Sequence, residues 1–337
     1  MIIVLKPKAS PAQVEAVISE VRKLGYKPHP IIGVERTVIA AIGDERTHHT
    51  LETLASLPYV DQVMPVQRRY KLVSRETNPK GSTIKVNGHI FGGKKIQVIA
   101  GPCSVESERQ VLDTAYAVKK AGATFLRGGA FKPRTSPYEF QGLKEQGLKF
   151  LAMAKRETGL GIVTEVLSEA DVDLVAEHAD ILQIGARNSQ NFALLVAAAR
   201  TGKAILLKRG MSMKVEEWLL SAEYILSCGN PNVLLCERGI RTFETMTRNT
   251  LDLGAVALAK AESHLPVIVD PSQGAGRSDL VNALCRASIA VNADGLIIEV
   301  HPNPKEAMSD GAQQVTLSQF SRLMSDLKPF IRAAKRT

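Results

Sequence analysis

The sequence predicts an α/β chain: a (β/α)8 TIM barrel behind a small N-terminal ferredoxin-like α+β domain. Three observations carry that expectation. From Lys95 onward, eight short β-branched runs alternate with amphipathic helical patterns, over roughly 240 residues, as a barrel requires. Residues 1–67 follow a separate βαββαβ order. The 337 residues, 45% of them hydrophobic, suffice for one large core and one small one.

In the N-terminal unit, Ile2–Leu5 is a short apolar strand. Ser10-Pro11-Ala12-Gln13 then reads as a capping box with proline at the first helical position. Val14, Val17, Ile18, Val21 and Leu24 recur at helical spacing, and Gly25 stops the helix. Pro30–Val34 and Thr37–Ile42 read as strands joined by a short turn. A second helix is expected around Thr47–Leu57, with Leu51, Leu54 and Leu57 on one face, and Tyr59–Val66 as the last strand. His48 and His49 begin that helix on the surface, with no third ligand nearby. Nothing here converges on chemistry, so packing or oligomerisation and small-ligand regulation both stay open. Residues 68–81 are polar, charged and marked by Pro and Gly, as in a linker. Ser82–Phe91 reads as a hairpin around Asn87-Gly88.

In residues 82–337 the strands are Ile96–Ala100, Thr124–Arg127, Ile162–Glu165, Ile181–Ile184, Ala204–Leu207, Val233–Cys236, Val267–Val269 and Gly295–Glu299. Helical patterns between them include Ser107–Ala121, Asn191–Arg200, Val215–Leu226 and Leu280–Ala290. A doubly wound open sheet is the alternative, but no GxGxxG follows the first strand.

The formal charge of +9 suits an anionic partner. Aromatic content is 5%, and no segment interleaves basic and aromatic residues, so small phosphorylated anions are favoured over nucleic acid. The four cysteines form no CxxC pair, which fits a reducing, cytoplasmic setting. The start MIIVLKPKAS lacks the features of a signal peptide, and no apolar run is long enough to predict a membrane span.

Reactive residues of such barrels sit just past the C-terminal ends of the strands. Here those positions read Gly101-Pro102-Cys103-Ser104, Arg127 followed by Lys132-Pro133-Arg134-Thr135-Ser136, Glu165, Gly185-Ala186-Arg187-Asn188, Lys208-Arg209-Gly210, Glu237-Arg238-Gly239, Asp270-Pro271-Ser272-Gln273 and Glu299-Val300-His301. Arg127, Lys132, Arg134, Arg187, Lys208 and Arg238 would share one mouth. Such cations repel unless anions lie among them, and two phosphates plus a carboxylate would suit the ring. Cys103, Glu299 and Asp310 could converge on one divalent ion, with Zn, Mn, Fe or Co suiting a thiolate better than Mg. The plainer reading of Cys103 is a small buried apolar group. Cys228 and Cys285 read as helix core, and Cys236 as a packing residue of the sixth strand. Gly274-Ala275-Gly276 lacks the lysine spacing of a P-loop.

IAGPCSVES, GGAFKPRTSPYEFQGL, QIGARNSQNFALL, LLKRGMS, LLCERGIRTFE, VIVDPS and GLIIEVHPNPKEAMSDGAQ resemble the 3-deoxy-7-phosphoheptulonate (DAHP) synthases. The similar subgroup is the type I enzymes with an N-terminal ferredoxin-like regulatory domain. KPRTS stands where the related 3-deoxy-octulosonate 8-phosphate synthases carry a KANRSS-like segment. The resemblance implies condensation of phosphoenolpyruvate with erythrose 4-phosphate and water, giving DAHP and phosphate, as the first step of the shikimate pathway. It implies Arg127 and Lys132 on the phosphoenolpyruvate carboxylate, and Arg187, Lys208 and Arg238 on its phosphate. Arg134, Thr135 and Ser136 would take the erythrose 4-phosphate phosphate. Asp270 would lie beside the aldose and the metal, and Cys103, Glu299 and Asp310 would hold a divalent ion. Lys132 would also move protons, with its cationic neighbours favouring its neutral form. A homotetramer and an aromatic amino acid effector, Tyr or Phe, are further implications.

One position departs from the resemblance. Gln273 stands where the family has a metal-binding histidine, as in DPSH. An amide oxygen is a harder, weaker ligand than imidazole. Retained metal binding, metal independence and altered activity are all compatible with this change. His301, two residues past Glu299 and on the same strand face, is a candidate substitute. The competing functions are a related synthase using another aldose, or a non-catalytic sensor of an aromatic amino acid or phosphoenolpyruvate.

Overall fold

The computed structural model describes residues 1–33, 35–43, 50–64 and 69–337. The chain divides into two compact units, Met1–Arg69 and Tyr70–Thr337.

In the first unit, β1 (Ile2–Leu5), β2 (Lys27–Ile32), β3 (Thr37–Ile42) and β4 (Val60–Met64) form an antiparallel sheet ordered β2-β3-β1-β4. That is the ferredoxin-like order. Helix α1 (Pro11–Lys23) begins with the expected box: Ser10 Oγ accepts the Gln13 N–H at 3.3 Å, and Gln13 Oε1 accepts the Ser10 N–H at 2.8 Å. Val17 and Val21 of α1 pack on Ile3, Leu5 and Ile39 of the sheet. Strand β2 starts three residues earlier than Pro30, the first residue expected from the sequence. It is an edge strand, where Pro28 and Pro30 can face away from the ladder without losing a bond. The second helix is a 3-10 helix over Leu51–Ser56. Leu51 and Leu54 are buried as its sequence spacing implies, but Pro58 follows too closely for a longer helix. His48, His49, Val34 and Val66 lie outside the described residues.

The second unit opens on residues 70–81, which composition assigns to a linker. They are bound along the barrel. Glu223 accepts the N–H groups of Lys71, Leu72 and Val73 at 2.8–2.9 Å, and Arg75 N–H donates to the Glu262 carbonyl at 2.8 Å. These partners lie 150 residues or more further along the chain, beyond the reach of a local reading. A hairpin follows, β5 (Ile84–Val86) and β6 (His89–Phe91), turning through Asn87 and Gly88 at φ 45° and 77°. Positive φ at both positions is the demand of the tight turn that matches strand twist.

Eight parallel strands then close a barrel: β7 (Gln97–Gly101), β8 (Phe125–Arg127), β9 (Gly161–Val166), β10 (Ile181–Ile184), β11 (Ala204–Lys208), β12 (Val233–Glu237), β13 (Val267–Val269) and β14 (Gly295–Glu299). Around them run α2 (Glu108–Ala121), α3 (Glu145–Thr158), α4 (Val172–His178), α5 (Phe192–Arg200), α6 (Val215–Ser227), α7 (Leu253–Glu262), α8 (Pro271–Ala275), α9 (Ser278–Ala290) and α10 (Leu317–Ala333). Side chains alternate along each strand. Ile99, Phe125, Val163, Leu206, Leu234 and Ile297 fill the barrel interior, whereas their neighbours Val98, Leu126, Ile205, Leu235 and Ile298 pack under the helices. Ile84 and Phe91 of the hairpin join the interior cluster and cap the end where the strands begin. Cys236 and Cys285 are buried as expected, but Cys228 is exposed, because it follows the last turn of α6 instead of lying on its apolar face. Among the described residues no helix is long and apolar enough to cross a membrane.

Candidate active site at the barrel mouth

The alternation that fills the interior also aims the site. Arg127 is two residues past Phe125, Glu165 two past Val163, Gln183 two past Ile181, Lys208 two past Leu206 and Glu299 two past Ile297, all on the inward face. At the strand ends that face opens as a cavity of about 250 Å³. Arg127, Lys132, Arg134, Arg187, Lys208 and Arg238 all line it, together with Thr135, Glu165, Gln183, Arg248, Gln273 and Asp310. The six cations expected to share a mouth are therefore brought together. Ser136 is not among the lining residues, and its hydroxyl accepts the Tyr138 N–H at 3.3 Å. Asp270 stands behind the wall, fully buried. One of its oxygens caps α8 by accepting the Gln273 N–H at 2.9 Å, and the other pairs with Lys208.

Carboxylates offset the ring from below. Arg127 Nη1 lies 2.7 Å from Glu299 Oε1, and its Nη2 donates to the Cys103 carbonyl at 3.0 Å. Its Nε is buried without a hydrogen-bond partner among the described residues. Burial opposes the Arg127 charge, but Glu299, Cys103, Asp270 and Glu165 outweigh it and hold the guanidinium above its ordinary value. The expectation of a neutral Lys132 is overturned by the same groups. Burial pulls this ammonium down and Arg127 adds to the pull, but Cys103, Glu165 and Glu299 raise it above the usual lysine value. Counting the cations of the mouth without Cys103 and the carboxylates beside them gives the wrong sign. Arg238 goes the other way: burial, reinforced by Arg248, lowers it. At the rim, Arg134 Nε pairs with Glu139 at 3.0 Å.

Cys103 Sγ and one oxygen each from Glu299 and Asp310 lie within 4.8 Å of one another. Sulfur plus two carboxylates is a donor set that fits a divalent ion. Without an ion the thiol is pushed up to about 12, first by burial and then by Glu299. Lys132 Nζ approaches its sulfur at 3.1 Å, and the thiol points to Asp310 Oδ2 at 3.5 Å. Gln273 sits over the carboxylates. Its Nε2 donates to Glu299 Oε1 at 3.1 Å and to Asp310 Oδ2 at 3.2 Å, and its Oε1 accepts from Arg238 Nη2 at 2.8 Å. His301 does not substitute for it. Its Nδ1 accepts the Asn303 N–H at 3.0 Å, which places the proton on Nε2, 3.1 Å from Glu106 Oε2. The strand has ended at Glu299, so alternation no longer aims residue 301 inward.

Three contributors escaped the sequence reading: Gln313, Arg248 and Gln183. Gln313 Nε2 donates to Glu299 Oε2 at 2.7 Å, and Arg248 Nη1 pairs with Asp310 Oδ1 at 3.1 Å. Arg248 comes from an irregular loop and Gln313 from a single 3-10 turn, Gly311–Gln313, too short for periodicity to give a signal. Gln183, joined at 3.2 Å to the strand-end residue Glu165, lies on the inward parity and was findable by counting. Arg209, adjacent to Lys208, faces outward and bonds Glu237 and Asp252 at 2.9 Å each, which ties down the loops after β11 and β12.

Residues 76–333 match the DAHP synthetase I family, and residues 1–68 match the DAHP synthase ferredoxin-like domain. A phospho-2-dehydro-3-deoxyheptonate aldolase of Thermotoga maritima is 49% identical over 328 residues, 97% of each chain. A crystal structure of phospho-2-dehydro-3-deoxyheptonate aldolase (DAHP synthase) from Thermotoga maritima superposes with a TM-score of 0.95 at 48% identity, covering 100% of this chain and 98% of that one. A 2-dehydro-3-deoxyphosphooctonate aldolase of Caulobacter vibrioides is 33% identical over 269 residues, 74% of this chain and 91% of its own. With the barrel, the cation-lined mouth and both family matches in place, the chain belongs to the DAHP synthetase I family.

Proposed function

We propose that this chain is a 3-deoxy-7-phosphoheptulonate synthase, condensing phosphoenolpyruvate with erythrose 4-phosphate and water to give DAHP and phosphate. The observation that carries the reading is the convergence of Arg127, Lys132, Arg134, Arg187, Lys208 and Arg238 on one cavity. Two phosphorylated substrates bring the anions that such a ring needs, and a sensor of one small amino acid does not.

Arg127 and Lys132 hold the phosphoenolpyruvate carboxylate on the floor, where an incoming acceptor also has the unpartnered Arg127 Nε within the same guanidinium. Arg187, Lys208 and Arg238 take its phosphate. Arg134 and Thr135 at the rim, with Ser136, take the phosphate of the aldose, and Arg134 exchanges Glu139 for it. Holding both substrates in one cavity converts an encounter of two anions into a reaction of neighbours. Carbon 3 of phosphoenolpyruvate then attacks the aldehyde carbon, water adds at carbon 2, and phosphate leaves. Lys132, kept charged, carries a proton at Nζ for the aldehyde oxygen as it becomes a hydroxyl. Asp270 positions Lys208 from behind the wall and fixes the start of α8. Cys103, Glu299 and Asp310 would hold a divalent ion, Mn, Fe, Co or Zn, which when bound supplies Lewis acidity toward the aldehyde.

The ferredoxin-like domain is proposed as a regulatory unit for an aromatic amino acid, Tyr or Phe, and the assembly as a cytoplasmic homotetramer. Light scattering tests the tetramer, and thermal shifts with Tyr and Phe test the effector. The activity is tested by following phosphoenolpyruvate consumption with erythrose 4-phosphate after chelation, then with Mn²⁺ restored. Consumption that requires erythrose 4-phosphate supports the synthase. Consumption with a different aldose only, or none in either condition, overturns it.

A further inference from the structure

We propose that Gln273 couples anion binding at Arg238 to divalent-cation binding at Cys103, Glu299 and Asp310, so that each strengthens the other. The proposal rests on reading that cluster as a metal site.

The amide of Gln273 has only one satisfactory orientation in the present network. Arg238 Nη2, 2.8 Å from the amide, has only hydrogens to offer. Glu299 Oε1 and Asp310 Oδ2, at 3.1 and 3.2 Å, have only lone pairs. The amide oxygen must therefore face Arg238 and the NH2 group must face the carboxylates. An NH2 group cannot ligate a metal, and it occupies the very oxygens that a metal would use. The rest of the network is equally closed. Glu299 Oε1 also accepts from Arg127, Glu299 Oε2 accepts from Gln313, and Asp310 Oδ1 accepts from Arg248. Without a metal, then, both carboxylates are satisfied by the chain itself.

To offer its oxygen to a cation, the amide has to turn half a revolution about its last side-chain bond. That turn brings its NH2 group against the Arg238 guanidinium, donor against donor, and leaves the buried Arg238 Nη2 without its acceptor, with only the longer Nη1 contact to the Gly239 carbonyl at 3.3 Å remaining. The cost disappears if Arg238 has found another acceptor. Arg238 lines the same cavity wall as Arg187 and Lys208, so an anion held there supplies one. Anion binding thus releases the amide toward the metal side, and linkage requires that a bound metal, by holding the amide oxygen, favours the anion to the same degree. A carboxylate at residue 273 would need no turn, because one oxygen can face Arg238 while the other faces the metal.

The test is a Mn²⁺ titration of the full chain, reading free Mn²⁺ by electron paramagnetic resonance, with and without inorganic sulfate at constant ionic strength. Sulfate is expected to tighten Mn²⁺ binding by the wild type roughly tenfold, the scale of one charge-assisted hydrogen bond. Gln273→Glu should bind Mn²⁺ more tightly than the wild type and without regard to sulfate. Gln273→Ala, which has no amide to turn, should also be indifferent to sulfate. Equal wild-type affinity in both conditions overturns the coupling, as does a sulfate effect of the same size in Gln273→Ala. Mn²⁺ binding by neither the wild type nor Gln273→Glu, with sulfate present, overturns the metal reading beneath it.

Discussion

Arg127 Nη1 lies 2.7 Å from Glu299 Oε1, and both side chains are all but sealed from solvent, so two opposite charges neutralise each other on the floor of the mouth. Removing one partner strands the other. Arg127→Ala is expected to lower stability by about 3–5 kcal/mol, the cost of a buried carboxylate left unpaired. Urea unfolding of the variant beside the wild type measures it. Arg127→Lys keeps the charge but loses the fork that also reaches the Cys103 carbonyl, so activity should fall far more than stability.

Gln273→His puts an imidazole where the amide now presents its NH2 group to Glu299 and Asp310. Mn²⁺ binding should tighten by about tenfold or more. Calorimetric titration of both proteins checks this, and equal affinities would count against residue 273 being a ligand position.

Arg134 is tethered to Glu139 at the rim of the mouth, apart from the buried Arg127 pair on its floor. Arg134→Ala is expected to raise KM for erythrose 4-phosphate by about tenfold or more, with KM for phosphoenolpyruvate nearly unchanged. Steady-state kinetics with each substrate varied in turn distinguishes the two. A change confined to phosphoenolpyruvate would reverse the assignment of the two phosphates.

Glu106 binds His301, the Met308 N–H and Ser104, and joins the loop after β7 to the loop after β14. Burial alone would raise this carboxyl, but those hydrogen bonds hold it below the ordinary glutamate value. A depressed folded-state value means that the stabilisation is complete above the unfolded value and is lost as pH falls through the folded one. Glu106→Gln should therefore be less stable than the wild type near neutrality, and the gap should close below about pH 4. Thermal melts across that range give the result, and a gap independent of pH would remove the charge from the explanation.

Glu223 gathers three backbone N–H groups from residues 71–73. Glu223→Ala leaves all three without that acceptor, one of them in a partly buried setting, at a cost of about 1–3 kcal/mol. Proteolytic nicking within residues 70–75 should become faster while barrel fragments stay intact. Mass spectrometry of a timed digest shows where the cut falls.

The barrel and most of its mouth were legible because both follow from a period of two. Once Phe125, Leu206 and Ile297 are read as interior, Arg127, Lys208 and Glu299 must follow them inward. The same count reaches Glu165, named at its strand end, and Gln183 beside it, which the strand-end positions alone do not single out. Loops and single 3-10 turns obey no such rule, so Arg248 and Gln313 could not be foreseen although they bond Asp310 and Glu299 directly. The charge state of Lys132 was misread because its sign depends on how close Cys103, Glu165 and Glu299 lie, not on the number of lysines and arginines nearby. Residues 70–81 looked like a linker because their composition is polar. Their fixed path depends on Glu223, whose place beside them exists only after α6 has folded.

The hairpin that carries Ile84 and Phe91 works as a cork in the barrel. With the lower end stopped and the interior packed by side chains, traffic has one doorway. Both substrates must come in through the mouth between the strand ends, and both products must go out through it. Whichever product leaves last holds the door against the next pair. Entry and exit share that one opening, so a substitution that narrows the mouth would slow both together.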